Sequence, residues 1–155
     1  MMYESCVRNG LLSQLCRTTN SLRAHLERTV LRDEDLRWSE FDALALICSE
    51  PNLQVRAVVA KTGTSRARIA EILAVLVQRE FVERRAGSAG RGDSLRPTPV
   101  GEAFAARVGR LIGDQERLIL AGVPDSVESL VEDLTYVADR SRDLAARART
   151  ARDAA

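Results

Sequence analysis

QVRAVVAKTGTSRARIAEILAVLVQREFVERR, running from Gln54 to Arg85, is the stretch whose reading decides the fold. Val55, Val58 and Val59 fall on one helical face up to Lys61, and Thr62-Gly63 then supplies a glycine able to take the left-handed conformation that stops a helix. Thr64-Ser65 is a strong N-cap pair for a second helix. That helix buries Ile69, Ile72, Leu73, Leu76 and Val77 and leaves Arg66, Ala67, Arg68, Ala70 and Glu71 toward its exposed N-terminal half. Two short helices joined by a glycine turn form a helix-turn-helix pattern. Phe81-Val82-Glu83-Arg84-Arg85 alternates like a strand, AGSAGRG is a flexible tip, and Asp93-Ser94-Leu95-Arg96 can return as its partner. Strand, basic tip and strand directly after the second helix make a wing.

Outward from this centre the chain is helical. Toward the N-terminus, Leu11, Leu12, Leu15, Cys16, Leu22 and Leu26 recur at three- and four-residue steps, predicting a long helix from Val7 or Gly10 to about Thr29. Asp33-Glu34-Asp35 breaks it. Ser39 reads as the N-cap of the next helix, with Asp42 completing an imperfect capping box; Phe41, Leu44, Ala45, Leu46, Ile47 and Cys48 make that helix apolar almost all round, and Pro51-Asn52 closes it. Beyond the wing, Thr98-Pro99 with Glu102 is a well-formed helix start, leading into Phe104, Val108, Leu111, Ile112, Leu118 and Ile119. Pro124-Asp125 separates this from a last helix carrying Val127, Leu130, Val131, Leu134, Val137, Ala138 and Leu144. Past Ala145 the composition of small residues and arginine reads as a frayed tail.

The fold class expected is therefore mainly α: a winged helix-turn-helix with a two-stranded β-wing and an added helical dimerisation region. The winged part is placed at residues 33–98, the dimerisation region at 1–32 and 99–150, and a disordered tail at 151–155. The outer helices carry apolar stripes outside the winged core, and a second copy of the chain would cover them most simply.

Bulk composition is that of an ordinary globular chain, 45% hydrophobic and 29% charged over 155 residues. Its net charge is only +1, but the distribution is uneven. Between Gln54 and Arg96 the bases are Arg56, Lys61, Arg66, Arg68, Arg79, Arg84, Arg85, Arg91 and Arg96, against Glu71, Glu80, Glu83 and Asp93. Such a local excess is the footprint of a phosphate-binding surface. Lys61 is the sole lysine, so part of the arginine content also reflects a compositional preference.

The segment matches what duplex DNA requires. Arg66 and Arg68 near a helix N-terminus can reach guanine O6 and N7, Thr64 and Ser65 can bond a phosphate there, and Arg91 at the wing tip can enter a narrow minor groove. Gln54, Glu71, Arg84 and Arg85 complete the candidate DNA-contacting set. The competing reading takes Arg66 and Arg68 as a solvated helix face and the whole as a winged-helix protein-interaction module without specific DNA binding. Enzyme chemistry finds no foothold: there is no glycine-rich phosphate loop after a strand, no nucleophile elbow, no helix-placed pair of carboxylates, and one histidine. No run of about 18 apolar residues exists and MMYESCVRNG lacks the build of a signal peptide, so the expectation is a cytoplasmic protein off the membrane. Neither cofactor nor metal is expected, since three cysteines without C-x-x-C spacing and His25 alone make no ligand set.

In order and spacing the chain resembles the MarR family of transcription regulators from about Leu11 to Leu144. Gly63-Thr64-Ser65-Arg66, Leu76, Phe81-Val82-Glu83-Arg84-Arg85 and Thr98-Pro99-Val100-Gly101 carry the resemblance. It implies a homodimer of winged domains on a pseudo-palindromic operator, with each recognition helix in a major groove and each wing in the flanking minor groove. It also implies a small, often aromatic or phenolic, effector between the dimer helices and the winged domain. Two departures stand out. Ala89 replaces the aspartate that ordinarily precedes the wing-tip arginine, here Arg91, and Glu80 replaces the glycine that ends the recognition helix.

Leu11-Leu12-Ser13-Gln14-Leu15-Cys16 is similar to the first helix of the organic-hydroperoxide-sensing branch, which makes Cys16 a candidate redox sensor. The tyrosines that serve the thiolate in that branch have Asn20, Trp38 and Phe41 in their places here. The alternative makes Cys16 a small apolar residue filling a dimer interface. Cys48, in an apolar run, reads as core, and Trp38 as core or a pocket wall.

Overall fold

The computed structural model describes residues 10–87, 92–123 and 127–153. They form two compact units, one reaching to Gln115 and one from Glu116 onward. The elements in chain order are α1 (Leu11–Leu26), α2 (Trp38–Ser49), β1 (Leu53–Gln54), α3 (Val55–Thr62), α4 (Arg66–Gln78), β2 (Val82–Arg85), β3 (Ser94–Pro97), α5 (Pro99–Ile119) and α6 (Val127–Asp153).

α1 leaves its helix by a π-helical turn over Glu27–Leu31 and a 3-10 turn over Arg32–Glu34. Asp35 ends this passage in the left-handed region at φ 49°. The wide turn swings Val30 and Leu31 into the core, where Leu31 is fully buried. α2 then begins earlier than its sequence signal. Its N-cap is Arg37, not Ser39, and the carboxylate reaching back is Glu40, not Asp42: the Arg37 amide donates to Glu40 Oε2 at 2.9 Å. The Trp38 amide donates to Glu27 Oε1, also at 2.9 Å. A carboxylate from the preceding turn therefore satisfies one of the orphan amides that a local cap would otherwise have to serve.

The sheet has three strands where two were expected. Its order is β1-β3-β2, with Leu53 opposite Leu95 and Val82 opposite Pro97, all antiparallel. Gln54, read as the first residue of a helix, is instead the last of β1 and the N-cap of α3. Leu95 on the central strand is fully buried and packs with Leu44, Ile47, Val58, Ile69, Ile72, Leu73, Leu76 and Val108 in one core.

No residue of α1 is buried; Leu11 and Leu12 stand at 72% and 70% exposure. In the second unit, Val131, Leu134, Tyr136 and Leu144 of α6 are likewise exposed. The last turns of α6 contain Ala145, Ala146, Ala148 and Ala151. Alanine is the strongest helix former, so a composition that read as fraying also carries a helix as far as Asp153.

Candidate nucleic-acid interface

α4 is held at both ends by local backbone chemistry. At its start, Gly63 takes φ 65° and ψ 14°, closing α3 with its amide on the Val59 carbonyl at 3.1 Å. Ser65 is the N-cap, its hydroxyl accepting from the Arg68 amide at 3.3 Å. At its end, the Glu80 amide donates to the Val77 carbonyl at 3.0 Å and the Phe81 amide to the Leu76 carbonyl at 2.9 Å. These are the paired bonds of a Schellman motif, and they require the residue after the C-cap to be left-handed. Glu80 meets that requirement at φ 59° without being glycine. Arg79, counted in sequence among the phosphate-facing bases, turns inward instead: its guanidinium donates to the Glu34 carbonyl at 2.9 Å and lies 5.7 Å from the Phe81 ring centre.

The bend from α4 into β2 is clamped by the start of α5. The Thr98 amide donates to the Phe81 carbonyl at 3.0 Å, the Thr98 hydroxyl to the Glu80 carbonyl at 2.6 Å, and the Gly101 amide to the Thr98 hydroxyl at 3.0 Å. Thr98 thus caps α5 and fixes the bend at once.

With Ile69, Ile72, Leu73 and Leu76 buried, α4 exposes Arg66, Ala67, Ala70, Glu71, Ala74, Val77 and Gln78. Ala67 and Ala70, expected from sequence to be exposed, continue through Ala74 as a smooth strip. Small side chains let a helix backbone come close to a groove floor, and alanine can contact a thymine methyl. Arg68, half-exposed, donates to Glu71 Oε2 at 2.7 Å. Glu71 is thereby a carboxylate brace for Arg68 before any ligand arrives.

Thr64 is half-buried, with its amide on the Thr62 hydroxyl at 3.3 Å, and Ser65 and Arg66 are exposed beside it. Gln54 is half-buried at the entry to α3. Arg84 and Arg85 project from β2 into solvent, and Arg96 stands directly opposite Glu83 on β3. Arg91, with Ala89 and Gly90, lies outside the described residues. Lys61 is engaged with Glu50 at 2.6 Å. The basic excess read from sequence is thus partly neutralised by Glu71 and Glu50 and partly consumed internally by Arg79.

A cleft of about 490 Å³ opens beside Arg68, lined by Leu31, Arg32, Asp35, Leu36, Arg37, Glu40 and Val75 as well. Three guanidinium groups, those of Arg32, Arg37 and Arg68, share its wall with the carboxylates of Asp35 and Glu40. Cys16 is exposed on α1. Cys48 is half-buried in α2; burial, assisted by the Glu102 carboxylate, pushes its thiol up and away from reactivity. His25 Nε2 lies 2.9 Å from Gln115 Oε1, which ties α1 to α5. Among the described residues no cluster of His, Cys, Asp and Glu is arranged to hold a metal ion, and no helix is long and apolar enough to cross a membrane.

Helix, glycine turn, capped helix and clamped wing at these distances define a winged helix-turn-helix protein. Residues 34–92 match the model of the MarR family. No curated protein matches. Solved structures share the fold at low identity. A MarR family transcriptional regulator from Silicibacter pomeroyi is 20% identical with a TM-score of 0.77, over 88% of this chain and 92% of that one. A SlyA-like transcription regulator from Listeria monocytogenes is 15% identical with a TM-score of 0.77, over 87% and 91%. The PcaV transcriptional regulator from Streptomyces coelicolor, solved in complex with its natural ligand, is 23% identical with a TM-score of 0.70, over 90% and 96%. The three proteins sharing this fold are each described as transcription regulators.

Proposed function

We propose that this protein is a sequence-specific transcription regulator that binds double-stranded DNA as a homodimer on a pseudo-palindromic operator. The observation that carries the reading is the exposed face of α4, an alanine strip flanked by Arg66 and the Glu71-braced Arg68. Inserted into a major groove, this face would bring Arg66 and Arg68 to base edges. Ser65 and Thr64 would meet a phosphate at the helix N-terminus, where the dipole favours negative charge. Arg84 and Arg85 on β2 would add backbone contacts, and Arg91 would probe the minor groove.

Dimerisation would bury what the chain itself leaves uncovered. Leu11 and Leu12 on α1 and Leu118 at the end of α5 are each about 70% exposed, more apolar surface than isolated side chains on a monomer ordinarily present. A second copy, related by a two-fold axis, would also match the symmetry of a palindromic site.

Regulation fits a repressor released by a small aromatic or phenolic ligand. The cleft beside Arg68 combines guanidinium groups with Leu31, Leu36 and Val75, and a ligand there would compete with DNA for Arg68. Oxidation at the exposed Cys16 is the other candidate signal.

The test is an electrophoretic mobility shift on genomic fragments with a salt series. A regulator making 6–10 phosphate contacts should hold a specific fragment while losing roughly three to five decades of affinity between 50 and 200 mM salt. A protein-interaction module would show neither specificity nor that slope.

A further inference from the structure

Five side chains close a ring around the bend between α4 and β2. The Glu34 carboxylate accepts from the two terminal guanidinium nitrogens of Arg107 from α5, at 2.5 and 2.8 Å. Arg107 lies 5.2 Å from the centre of the Phe104 ring, and Phe104 stacks on Phe81 with centroids 4.5 Å apart and planes 25° from parallel. Arg79 covers Phe81 and returns to the Glu34 carbonyl. The turn after α1, the end of the reading helix, the start of the wing and the first turns of α5 thus meet in one circuit.

Stability alone is a poor reason for this circuit. Arg107 has 47% of its side chain exposed and Glu34 19%, and an ion pair so partly open to water contributes modestly. Bidentate geometry and paired rings fix direction more than they add energy. The bend they surround is a place where direction matters and where the backbone is strained, because Glu80, a non-glycine residue, holds a left-handed conformation. A four-residue strand extends about 13 Å. Tilting it by about 10° at the bend moves its far end by about 2 Å, which is enough to break a hydrogen bond to DNA.

We propose that Glu34 and Arg107 are positioning residues for DNA recognition, setting the angle between reading helix and wing through Arg79 and the stacked Phe81–Phe104 pair. This rests on the DNA-binding reading above. Neither residue belongs to the contact set, and neither touches the base-reading face of α4.

The experiment uses the full chain and a fluorescein-labelled duplex selected by the wild-type protein from a random 30-base-pair library, beside a scrambled duplex of the same composition. Glu34→Gln and Arg107→Gln should each weaken the selected duplex about five- to twenty-fold and leave the scrambled duplex nearly unchanged. The double variant should be no worse than either single one, since each opens the same circuit. Amide hydrogen exchange at Phe81 and Thr98 should quicken in all three. Arg107→Lys, the milder change, keeps the charge but not the fork and should fall between, which preserves the test if a glutamine variant folds poorly. Wild-type affinity for the selected duplex in folded variants, or an equal loss on both duplexes, overturns the positioning role. Failure of the wild-type protein to select any duplex overturns the DNA-binding reading itself, and the positioning role with it.

Discussion

Gly101 lies directly against the backbone of Phe81: a Cβ built on Gly101 would stand 2.1 Å from the Phe81 carbonyl oxygen. That carbonyl already accepts from the Thr98 amide, so neither partner can step aside without opening the bend behind the reading helix. Gly101→Ala should therefore destabilise the fold by about 3 kcal/mol or more, at the severe end for overpacking. Urea denaturation followed by circular dichroism reads it. Gly109→Ala, where an added Cβ meets nothing within 4 Å, should leave the midpoint level or raise it by the helix-propensity gain of up to about 1 kcal/mol.

At Glu80 the opposite change helps. Its φ of 59° suits glycine, and its contacts to the fold run through backbone groups that any residue supplies. Glu80→Gly should raise stability by about 0.5–1 kcal/mol, the relief of the left-handed strain less the added freedom of the unfolded chain. A lower urea midpoint would show that the Glu80 side chain does something its backbone does not.

Acid should loosen the ring. The hydrogen bonds from Arg107 hold the Glu34 carboxyl below the usual glutamate range, with burial opposing and the charges of Arg107 and Arg79 assisting. A carboxylate depressed on folding contributes stability that is fully present above its unfolded value of about 4.3 and is lost as pH falls through the lower folded value. Stability should decline on acidification below about pH 4.3 in the wild-type protein, and less steeply in Glu34→Gln. Parallel pH profiles would remove Glu34 from the linkage.

Base and phosphate contacts should separate by their signatures. Arg68→Ala should cost about 1–3 kcal/mol of discrimination between the selected duplex and a single-base variant. Arg84→Ala should weaken all duplexes alike and reduce the slope of log affinity against log salt by about 1. Arg91→Ala should weaken binding with a smaller change in preference than Arg68→Ala. Identical behaviour of all three variants and the wild type would withdraw the contact assignments.

The exposed leucines give a test of assembly. Leu12 and Leu118 are 70% and 71% exposed within the chain, so a charge at either costs the monomer fold almost nothing. Leu12→Glu or Leu118→Glu should shift the mass in light scattering from two chains to one at micromolar concentration. A wild-type mass of one chain would sink the homodimer.

Much of the winged domain was legible because its signals are local. Gly63, Ser65 and Thr98-Pro99 each act on neighbours within a turn, and each stands where its chemistry placed it. What escaped involves distant partners. β1 exists because Leu53 and Gln54 find β3 far along the chain, and two residues carry no strand signal alone. The N-cap of α2 moved from Ser39 to Arg37 because Glu27, eleven residues before Trp38, serves its amide. Of the candidate contacts, the exposure of Arg66, Arg84 and Arg85 follows from their place in the apolar pattern. The inward turn of Arg79 does not, since nothing local distinguishes it from the other arginines.

The central position of β3 bears on how the chain comes into being. β1 and β2 do not pair with each other; both hydrogen-bond to Ser94–Pro97. On the ribosome, β2 emerges before this strand, and until β3 follows it offers an open edge to any neighbouring nascent chain. A transcript cut short within the wing would yield not a weaker protein but a sticky fragment.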